Sequence, residues 1–368
     1  MVSITQPRNL YELAVRLLDV ETSYCIAFLE IIMAIIQIEQ IMQTHSSSAR
    51  LPHDKKYEKG VAFANGKYCA RDEAVMPIWD MGFLQSDATY EVATVSRGRY
   101  FRLEDHFNRF ARSCKTFRLR NPYTNEAVLE IFNTMIRSTG LKDAGVLWFV
   151  TRGLPKPGAD PVRDRNNPDA FENRFYAAAY PYGSITTQEE RNRGLNLIIS
   201  KKYLRIPPKA VDPTAKNFHW MDMKLSLFEA RDHGKDWSVL TDAEGYLTEA
   251  PGANIFVIKD GELYTPDSGC LEGITRRTAL DLAEIIGVRT HVEKVHARQL
   301  KQADDAFITS SAGGIMPVNS VDDIVLGGVE GPGELATRFH NLYWEKMWEG
   351  WKCSPVDYKG LGPSAVCT

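Results

Sequence analysis

Four short segments rich in small and polar residues follow one another in the C-terminal half of this chain. They read "TAKNFHW", "YLTEAPGANIF", "GCLEGITRR" and "ITSSAGGIMP". In this order they supply a lysine amine, a carboxylate and two loops that can cradle an anion with backbone N–H groups. Because the segments lie between predicted strands and predicted helices, they favour a mixed α/β fold.

Length and composition leave room for such a fold and exclude several classes of partner. The chain has 368 residues, of which 44% are apolar, and this is enough for a substantial core and two domains. A net charge of −3 provides no basic field for nucleic acid and no polybasic stretch for a membrane surface. We therefore expect small-molecule chemistry, with neither nucleic acid nor a membrane as partner.

The six cysteines are scattered along the chain without a CxxC spacing. In a protein of this size we interpret them as reduced thiols, and we expect a cytoplasmic location. The eight histidines form no HxxxH or HxH pair with nearby cysteines, so no metal site is expected.

Residues 1–57 form an N-terminal extension without an evident role. Its apolar run from Tyr24 to Met42 is interrupted by Glu30, Gln37 and Glu39, and it falls short of the roughly 20 uninterrupted residues that a membrane-spanning helix needs. We predict a helix that packs on its own protein or on a partner subunit. A polar linker follows.

Residues 58–182 alternate between strand and helix patterns and predict a small α/β domain. Hairpin signals occur at Asn65-Gly66 and near Arg97-Gly98. The stretch "LEDHFNRFARSCKTFRL" has apolar residues at helical spacing, with acidic residues at its start, where a helix dipole favours them.

The polar segment 183–194 is the best domain boundary, and we treat it as a linker. Beyond it, residues 195–350 contain further strand and helix patterns and predict a larger domain that carries the four segments. Residues 351–368 are expected to be a C-terminal tail.

Lys216, in the first segment, is a candidate for covalent bonding to an aldehyde cofactor. A Schiff-base lysine must lose its proton near neutral pH, and an apolar setting lowers a lysine pKa. Phe218 and Trp220 flank the lysine and make such a setting plausible. Taken alone, Lys216 has the alternative interpretation of an ordinary surface lysine.

The other segments change that balance in favour of pyridoxal phosphate. Glu249 can face the pyridine nitrogen and keep it protonated, which preserves the ring as an electron sink. Thr275 begins a predicted helix whose N-terminus can bind phosphate, and the "TSSAGG" loop can form a second anion nest. Each feature alone also fits a solvent-facing glutamate or a simple helix cap.

The order and wording of these motifs resemble class IV aminotransferases, the fold-type IV pyridoxal phosphate enzymes that include branched-chain and D-amino acid transaminases. "DMGFLQSDATYE", "FRLEDHFNRF", "VTRGL", "DPTAKNFHWMD" and "LTEAPGANIFVIKDGELYTPD" are most similar to those of fungal (R)-selective amine transaminases. The resemblance runs from about Gly60 to Trp344. It implies a small N-terminal α/β domain, a larger C-terminal domain with a β-barrel-like core, and a homodimer with active sites near its interface.

The resemblance also assigns roles to residues. Lys216 would form the Schiff base and move the proton, Glu249 would face the pyridine nitrogen, and Arg109 would bind phosphate as a bidentate fork. The other cofactor-binding residues implied are Leu271, Ile274, Thr275, Ser310 and Ser311. The implied substrate pocket consists of Tyr90, Val92, Gly145, Leu147, Trp220 and Ala312. Without the resemblance, Arg109 fits a solvated helix face, and Tyr90 and Trp220 fit an ordinary core.

Three departures from the family pattern concern the substrate. Gln85 stands where relatives usually have histidine. Gly145 and Leu147 stand where relatives commonly have phenylalanine and glutamate, so we expect an enlarged pocket that accepts a longer or branched side chain. The loop after "VTRGL" offers Lys156 and Arg163 as cations for a substrate carboxylate.

The sequence thus predicts a transaminase that moves an amino group between an amino acid or primary amine and a keto acid or ketone. Three alternatives stay open. One is a branched-chain or D-amino acid aminotransferase of specialised metabolism, and another is a lyase of the same fold, such as aminodeoxychorismate lyase. The third is a non-catalytic descendant that keeps only the fold.

Overall fold

The structure is a computed structural model that describes residues 34–42 and 50–360. Most of the predicted N-terminal helix lies outside these residues. Its described end contains a short helix, Ile38–Ile41, and the side chains of Ile36 and Ile41 are buried in an apolar core. Within the described ranges, no helix combines the length and apolarity needed to cross a bilayer.

Short and long helices are interspersed with strands along the described chain. The helices are Ile38–Ile41 (α1), Met81–Leu84 (α2), Leu103–Thr116 (α3), Asn125–Thr139 (α4), Gln188–Arg193 (α5), Met221–Asp232 (α6), Ile274–Ile286 (α7), Ala297–Lys301 (α8) and Glu334–Glu349 (α9). The strands are Val61–Ala64 (β1), Lys67–Ala70 (β2), Ala88–Ser96 (β3), Arg99–Phe101 (β4), Ala144–Pro155 (β5), Phe171–Pro181 (β6), Leu195–Ile199 (β7), Trp237–Val239 (β8), Asn254–Lys259 (β9), Glu262–Thr265 (β10), Thr290–Val292 (β11), Asp305–Ser310 (β12), Gly314–Val321 (β13), Ile324–Val325 (β14) and Cys353–Pro355 (β15).

The first sheet is antiparallel and has the strand order β15-β4-β3-β5-β6-β1-β2. Both predicted hairpins are present in it. Asn65 and Gly66 turn with φ of 53° and 75°, and Arg97 and Gly98 with φ of 50° and 75°. These left-handed values suit a tight turn between twisted strands.

Helices α3 and α4 pack against one face of the first sheet. The fully buried Trp148 of β5 lies in this core, with Phe107 and Phe110 of α3 and Phe132 of α4 around its indole ring. The helical spacing in the sequence therefore predicts the buried face of α3 correctly, and burial of that face holds α3 against the sheet.

The second sheet is mixed and follows the strand order β11-β10-β9-β12-β13-β7-β8, with β14 paired to β13. A bridge between Thr241 and Leu247 extends β8, and a second bridge joins Tyr246 to His296, beyond β11. These bridges link the two edges of the sheet. The predicted mixed α/β fold with a barrel-like second sheet is confirmed.

The end of the described chain differs from a free tail. Strand β15 pairs with β4 of the first sheet, and Val356 is buried in the core of that sheet. Residues 353–356 therefore belong to the first sheet. The other domain limits stay a proposal, which the passage from β6 to β7 across segment 183–194 supports.

Candidate active site

The two faces of β3 have different surroundings. Tyr90 and Val92 line a cavity of about 410 Å³, whereas Ala93 and Val95 point into the core beneath α3 and α4. Glu91 lies on the same face as Ala93 and Val95 and is fully buried. This alternation is the ordinary pleat of a strand, and it places a carboxylate behind the cavity wall.

The cavity brings together twelve of the predicted site residues. They are Tyr90, Val92, Arg109, Lys216, Trp220, Glu249, Leu271, Ile274, Thr275, Ser310, Ser311 and Ala312. Gly145 and Leu147 are not part of its lining. Its volume is typical of pockets that bind a small molecule.

Lys216 is held by its backbone, which leaves its side chain available. Its N–H donates to the hydroxyl of Ser113 at 3.1 Å, and its carbonyl accepts from the hydroxyl of Thr89 at 2.6 Å. The Nζ atom lies 4.2 Å from the centre of the Tyr90 ring. Within the described residues this amine forms no salt bridge.

Glu249 is buried and takes part in a charged network. Its Oε1 accepts from Nε of Arg205 at 2.7 Å, and its Oε2 accepts from the backbone N–H of Leu271 at 3.1 Å. Arg205 also donates to Asp222 at 2.7 Å. Burial raises the pKa of the Glu249 carboxyl, and the charge of Arg205 opposes that rise.

The edge of the Arg109 guanidinium that carries Nε and Nη2 faces Glu91 and not the cavity. Its Nε and Nη2 donate to the two oxygens of Glu91 at 2.6 and 2.8 Å, and its Nη1 donates to the carbonyl of Glu272 at 3.0 Å. His106 contacts Glu91 at 2.8 Å. The bidentate fork that we expected for phosphate is thus used by Glu91, and two of the five guanidinium hydrogens remain for an anion.

The charge of Arg109 outweighs the effect of burial on Glu91. Burial disfavours the carboxylate, but Arg109 and His106 together lower the pKa of Glu91 to about 2. Glu91 is therefore ionised at neutral pH and fixes the arginine next to the cavity.

Two loops form the anion-binding side of the cavity. Helix α7 begins at Ile274, and its N-cap residue Gly273 provides no side-chain cap to the free N–H groups. The Thr309 hydroxyl, which also lines the cavity, is buried without a hydrogen-bond partner among the described residues. A bound phosphate would satisfy such donors.

These features fit pyridoxal phosphate. The amine of Lys216, which pairs with no carboxylate in the described chain, suits the aldehyde carbon, and the buried carboxylate of Glu249 suits the ring nitrogen. The uncapped helix and the orphaned hydroxyl of Thr309 suit the phosphate. Each group therefore has the chemistry that the corresponding part of the cofactor requires.

An aromatic wall closes one side of the cavity. Nε1 of Trp220 donates to the hydroxyl of Tyr90 at 3.0 Å, and the Tyr90 and Phe218 rings lie 4.5 Å apart. Gly252 allows the Trp220 ring to approach, because a Cβ there would lie 2.9 Å from that ring. The wall is therefore held in place by a hydrogen bond and by close packing.

The structure corrects our expectation for Gly145. A Cβ at this position would lie 2.6 Å from the ring of Tyr180, so that ring occupies the space that a larger residue would fill. The glycine therefore adds no empty space to the cavity. Gln85, Lys156 and Arg163 are exposed and do not line the cavity, and Arg163 pairs with Asp164.

Three residues of the site were missed by sequence reasoning. Glu91 carries a detectable signal, since it is a carboxylate on the apolar face of a predicted strand. The sequence contains a weaker signal for Arg205 and Asn254. Asn254 donates to the carbonyl of Leu271 at 2.8 Å and so helps to hold that loop, a contact that no local pattern indicates.

Comparisons with known proteins bear on the same residues. The family described as amino-transferase class IV matches residues 88–321. The branched-chain-amino-acid aminotransferase of Escherichia coli (strain K12) is 30% identical over 230 residues, which are 62% of this chain and 72% of that protein.

Two solved structures extend the similarity to the fold. The branched-chain amino acid aminotransferase of T.th., solved with pyridoxamine 5'-phosphate, has a TM-score of 0.73 and 26% identity, over 81% of this chain and 99% of that chain. The branched-chain aminotransferase of Thermoproteus uzoniensis with norvaline has a TM-score of 0.71 and 25% identity, over the same shares.

Proposed function

Since this chain belongs to the class IV aminotransferases, we propose that it moves an amino group between a branched-chain amino acid and a 2-oxo acid. It is a pyridoxal-phosphate-dependent transferase. The observation that carries the proposal is the cavity that gathers Lys216, Glu249 and the two anion-binding loops. Its remaining lining includes the aliphatic side chains of Val92 and Ile185, which suit a branched apolar substrate.

Lys216 is proposed as the residue that holds the cofactor covalently and then moves the proton. When bound, pyridoxal phosphate supplies an aldehyde carbon and a conjugated ring that stabilises negative charge on the substrate carbon. The backbone contacts of Lys216 with Ser113 and Thr89 keep the amine at a fixed place in the cavity. At that place the Lys216 amine would be able to take up a proton and return it.

Glu249 and Arg205 are proposed to act as a unit at the ring nitrogen. Arg205 favours the charged form of Glu249 against the effect of burial. An ionised Glu249 would hold a proton on the ring nitrogen of bound pyridoxal phosphate. Asp222 holds Arg205 from the opposite side at 2.7 Å.

The phosphate is proposed to lie between Arg109 and the N-terminus of α7. Arg109 supplies its two remaining N–H hydrogens, while Thr275 adds a hydroxyl at the first turn of the helix. Ser311, Ser310 and Leu271 would contact the cofactor from the other loops. Tyr90, Trp220 and Ala312 would face the substrate.

Product analysis tests the proposal. The purified enzyme with pyridoxal phosphate is incubated with 2-oxoglutarate and L-leucine, L-valine, D-alanine or (R)-1-phenylethylamine, and the new amino and keto products are quantified. We expect the branched-chain amino acids to be the best donors. Lys216→Ala should abolish transfer, whereas Lys224→Ala, which removes an exposed lysine outside the cavity, should not. Release of pyruvate from an amino substrate without any acceptor would instead identify a lyase.

A transaminase for primary amines is the second candidate. It is supported by the motifs "DPTAKNFHWMD" and "LTEAPGANIFVIKDGELYTPD" and by the aromatic rings of Tyr90 and Trp220 in the cavity lining, which suit an aryl group. In the same assay, (R)-1-phenylethylamine would then be the preferred donor. An enzyme that accepts L-leucine but not (R)-1-phenylethylamine as donor would exclude this candidate.

We also propose a homodimer. Five apolar side chains are exposed within a short segment around α2, namely Val75, Ile78, Trp79, Phe83 and Leu84. A cluster of this kind is unusual on a monomer surface. Light scattering should give twice the monomer mass, and Trp79→Asp together with Phe83→Asp should reduce it to the monomer mass. The cytoplasmic location stays a prediction.

A further inference from the structure

Arg191 of α5 is a buried cation behind the cavity, and no carboxylate of the described chain forms an ion pair with it. Its side chain is only 2% exposed. Its Nε and Nη1 have no hydrogen-bond partner among the described residues. The neighbouring carboxylate of Glu190 accepts instead from the backbone N–H of Thr187 at 2.6 Å. A buried charge without an ion-pair partner is costly, so the presence of Arg191 at this position calls for a function.

The guanidinium joins two loops that border the cavity. Nη2 donates to the hydroxyl of Ser184 at 2.8 Å and to the carbonyl of Gly313 at 3.3 Å. Ile185, the neighbour of Ser184, lines the cavity. Gly313 lies close to the Ile185 side chain, since a Cβ on Gly313 would lie 2.9 Å from Cγ1 of Ile185. Arg191 therefore holds segment 184–186 against the turn 310–313.

The carbonyls of this turn are held by three different elements. Thr94 of β3 donates to Ser311 at 2.7 Å, and Tyr182 donates to Ala312 at 2.8 Å. Arg191 donates to Gly313. With three successive peptide groups fixed in this way, the N–H groups of the turn are preorganised rather than free to rotate.

The two arginines that line the cavity, Arg109 and Arg205, supply no free charge to this turn. Arg109 is neutralised by Glu91, and Arg205 by Glu249 and Asp222. Arg191 reaches the turn with its own side chain and has no carboxylate partner in the described chain. It therefore brings to the turn a positive charge that no ion pair of the described residues neutralises.

We propose that Arg191 is a positioning residue that strengthens the binding of an anion at the turn 310–313, through its charge and through the carbonyl of Gly313. This inference rests on the proposed function. The anion is a carboxylate or a phosphate, which are the acidic groups of the substrate and of the cofactor. A positive charge in a dry interior acts over several ångströms with little screening.

The test compares each anion with an uncharged analogue, on the holoenzyme for substrate analogues and on the apoenzyme for the cofactor. For the substrate side, the dissociation constants of 4-methylpentanoate and 4-methylpentanamide are measured from the change in cofactor absorbance. For the cofactor side, the dissociation constants of pyridoxal phosphate and pyridoxal are measured with apoenzyme. Arg191→Met removes the charge, Arg191→Gln keeps a donor for Gly313 without charge, and Arg191→Lys keeps the charge.

We expect Arg191→Met and Arg191→Gln to lower the preference for one anion over its uncharged analogue by roughly tenfold, while Arg191→Lys keeps most of it. The arm that changes identifies the anion as carboxylate or phosphate. Arg231→Met, which removes one exposed charge, should leave both preferences unchanged. If Arg191→Met does not fold, the comparison of the Gln and Lys variants gives the same answer.

Unchanged preferences in both arms for the Gln variant would overturn the inference, and so would an equal loss of charged and uncharged ligands. Failure of the proposed function would look different. In that case the wild-type protein itself would transfer no amino group, whatever the behaviour of the variants toward anions.

Discussion

Replacing Glu91 by glutamine tests the way in which the cavity arginine is held. The carboxylate is fully buried and accepts from Nε and Nη2 of Arg109 and contacts His106, at 2.6, 2.8 and 2.8 Å. Glutamine keeps the size of the side chain but removes its charge. The buried guanidinium of Arg109 then has no counter-ion, and the protein must either expose this charge to water or bear the cost of burying it unpaired.

Two independent quantities give the size of the effect. Breaking a buried ion pair by removal of one partner typically costs about 3–5 kcal/mol. The pKa of Glu91 is lowered from 4.5 to about 2, and at 1.36 kcal/mol per pKa unit this amounts to roughly 3 kcal/mol. The two values agree, so we expect Glu91→Gln to lower the free energy of unfolding by about 3 kcal/mol at pH 7.

The same pKa sets the sign of the pH dependence. Because the folded-state pKa lies below the unfolded-state value, the stabilisation by Glu91 is fully present above pH 4.5. It is lost as the pH falls from 4.5 towards 2. The free energy of unfolding should therefore fall more steeply with decreasing pH for the wild-type protein than for Glu91→Gln. The difference in slope corresponds to the uptake of at most one proton on unfolding.

Urea unfolding at pH 7, 4 and 3, together with the dissociation constant for pyridoxal phosphate, measures both effects. Glu130→Gln is the matched control, because Glu130 pairs with Arg137 but is exposed, and such pairs contribute about 0–1 kcal/mol. A loss below about 1 kcal/mol for Glu91→Gln, with unchanged cofactor affinity and the same acid slope as wild type, would refute the reasoning.

Three further variants test other parts of the site. Glu249→Gln should lower kcat by about 100-fold or more while cofactor remains bound, because an amide cannot keep the ring nitrogen protonated; an unchanged kcat would exclude that role. Trp220→Phe removes the hydrogen bond to Tyr90 and should raise KM several-fold with a small effect on stability, measured by steady-state kinetics and thermal unfolding. Gly145→Ala should cost about 1–3 kcal/mol in urea unfolding, since the Tyr180 ring must shift, and should leave the range of accepted donors unchanged.

Local patterns predicted much of the fold because local chemistry decides it. The hairpin at Asn65-Gly66 follows from the ease with which both residues adopt positive φ, and the amphipathic spacing of α3 follows from its burial on one face. Strand β13 was not predicted. It contains Pro317, which lacks an N–H and normally argues against a central strand.

The candidate site was predicted where motifs combine a chemical group with loop geometry. Lys216, Glu249 and Thr275 were found in this way, and the cavity contains all three. The partners of the charged residues were not found, because Glu91 and Arg109 are joined only when β3 and α3 pack together. The space beside Gly145 could not be predicted either, since it depends on the rotamer of Tyr180 on the neighbouring strand.

The most direct test of the central claim is the visible absorption spectrum of the purified protein with pyridoxal phosphate, recorded while L-leucine and then 2-oxoglutarate are added. We predict an absorption band of the lysine-bound cofactor that disappears with L-leucine, returns with 2-oxoglutarate, and is missing in Lys216→Ala. A wild-type protein that shows no such band after incubation with the cofactor, or a band that no amino donor changes, would contradict this prediction.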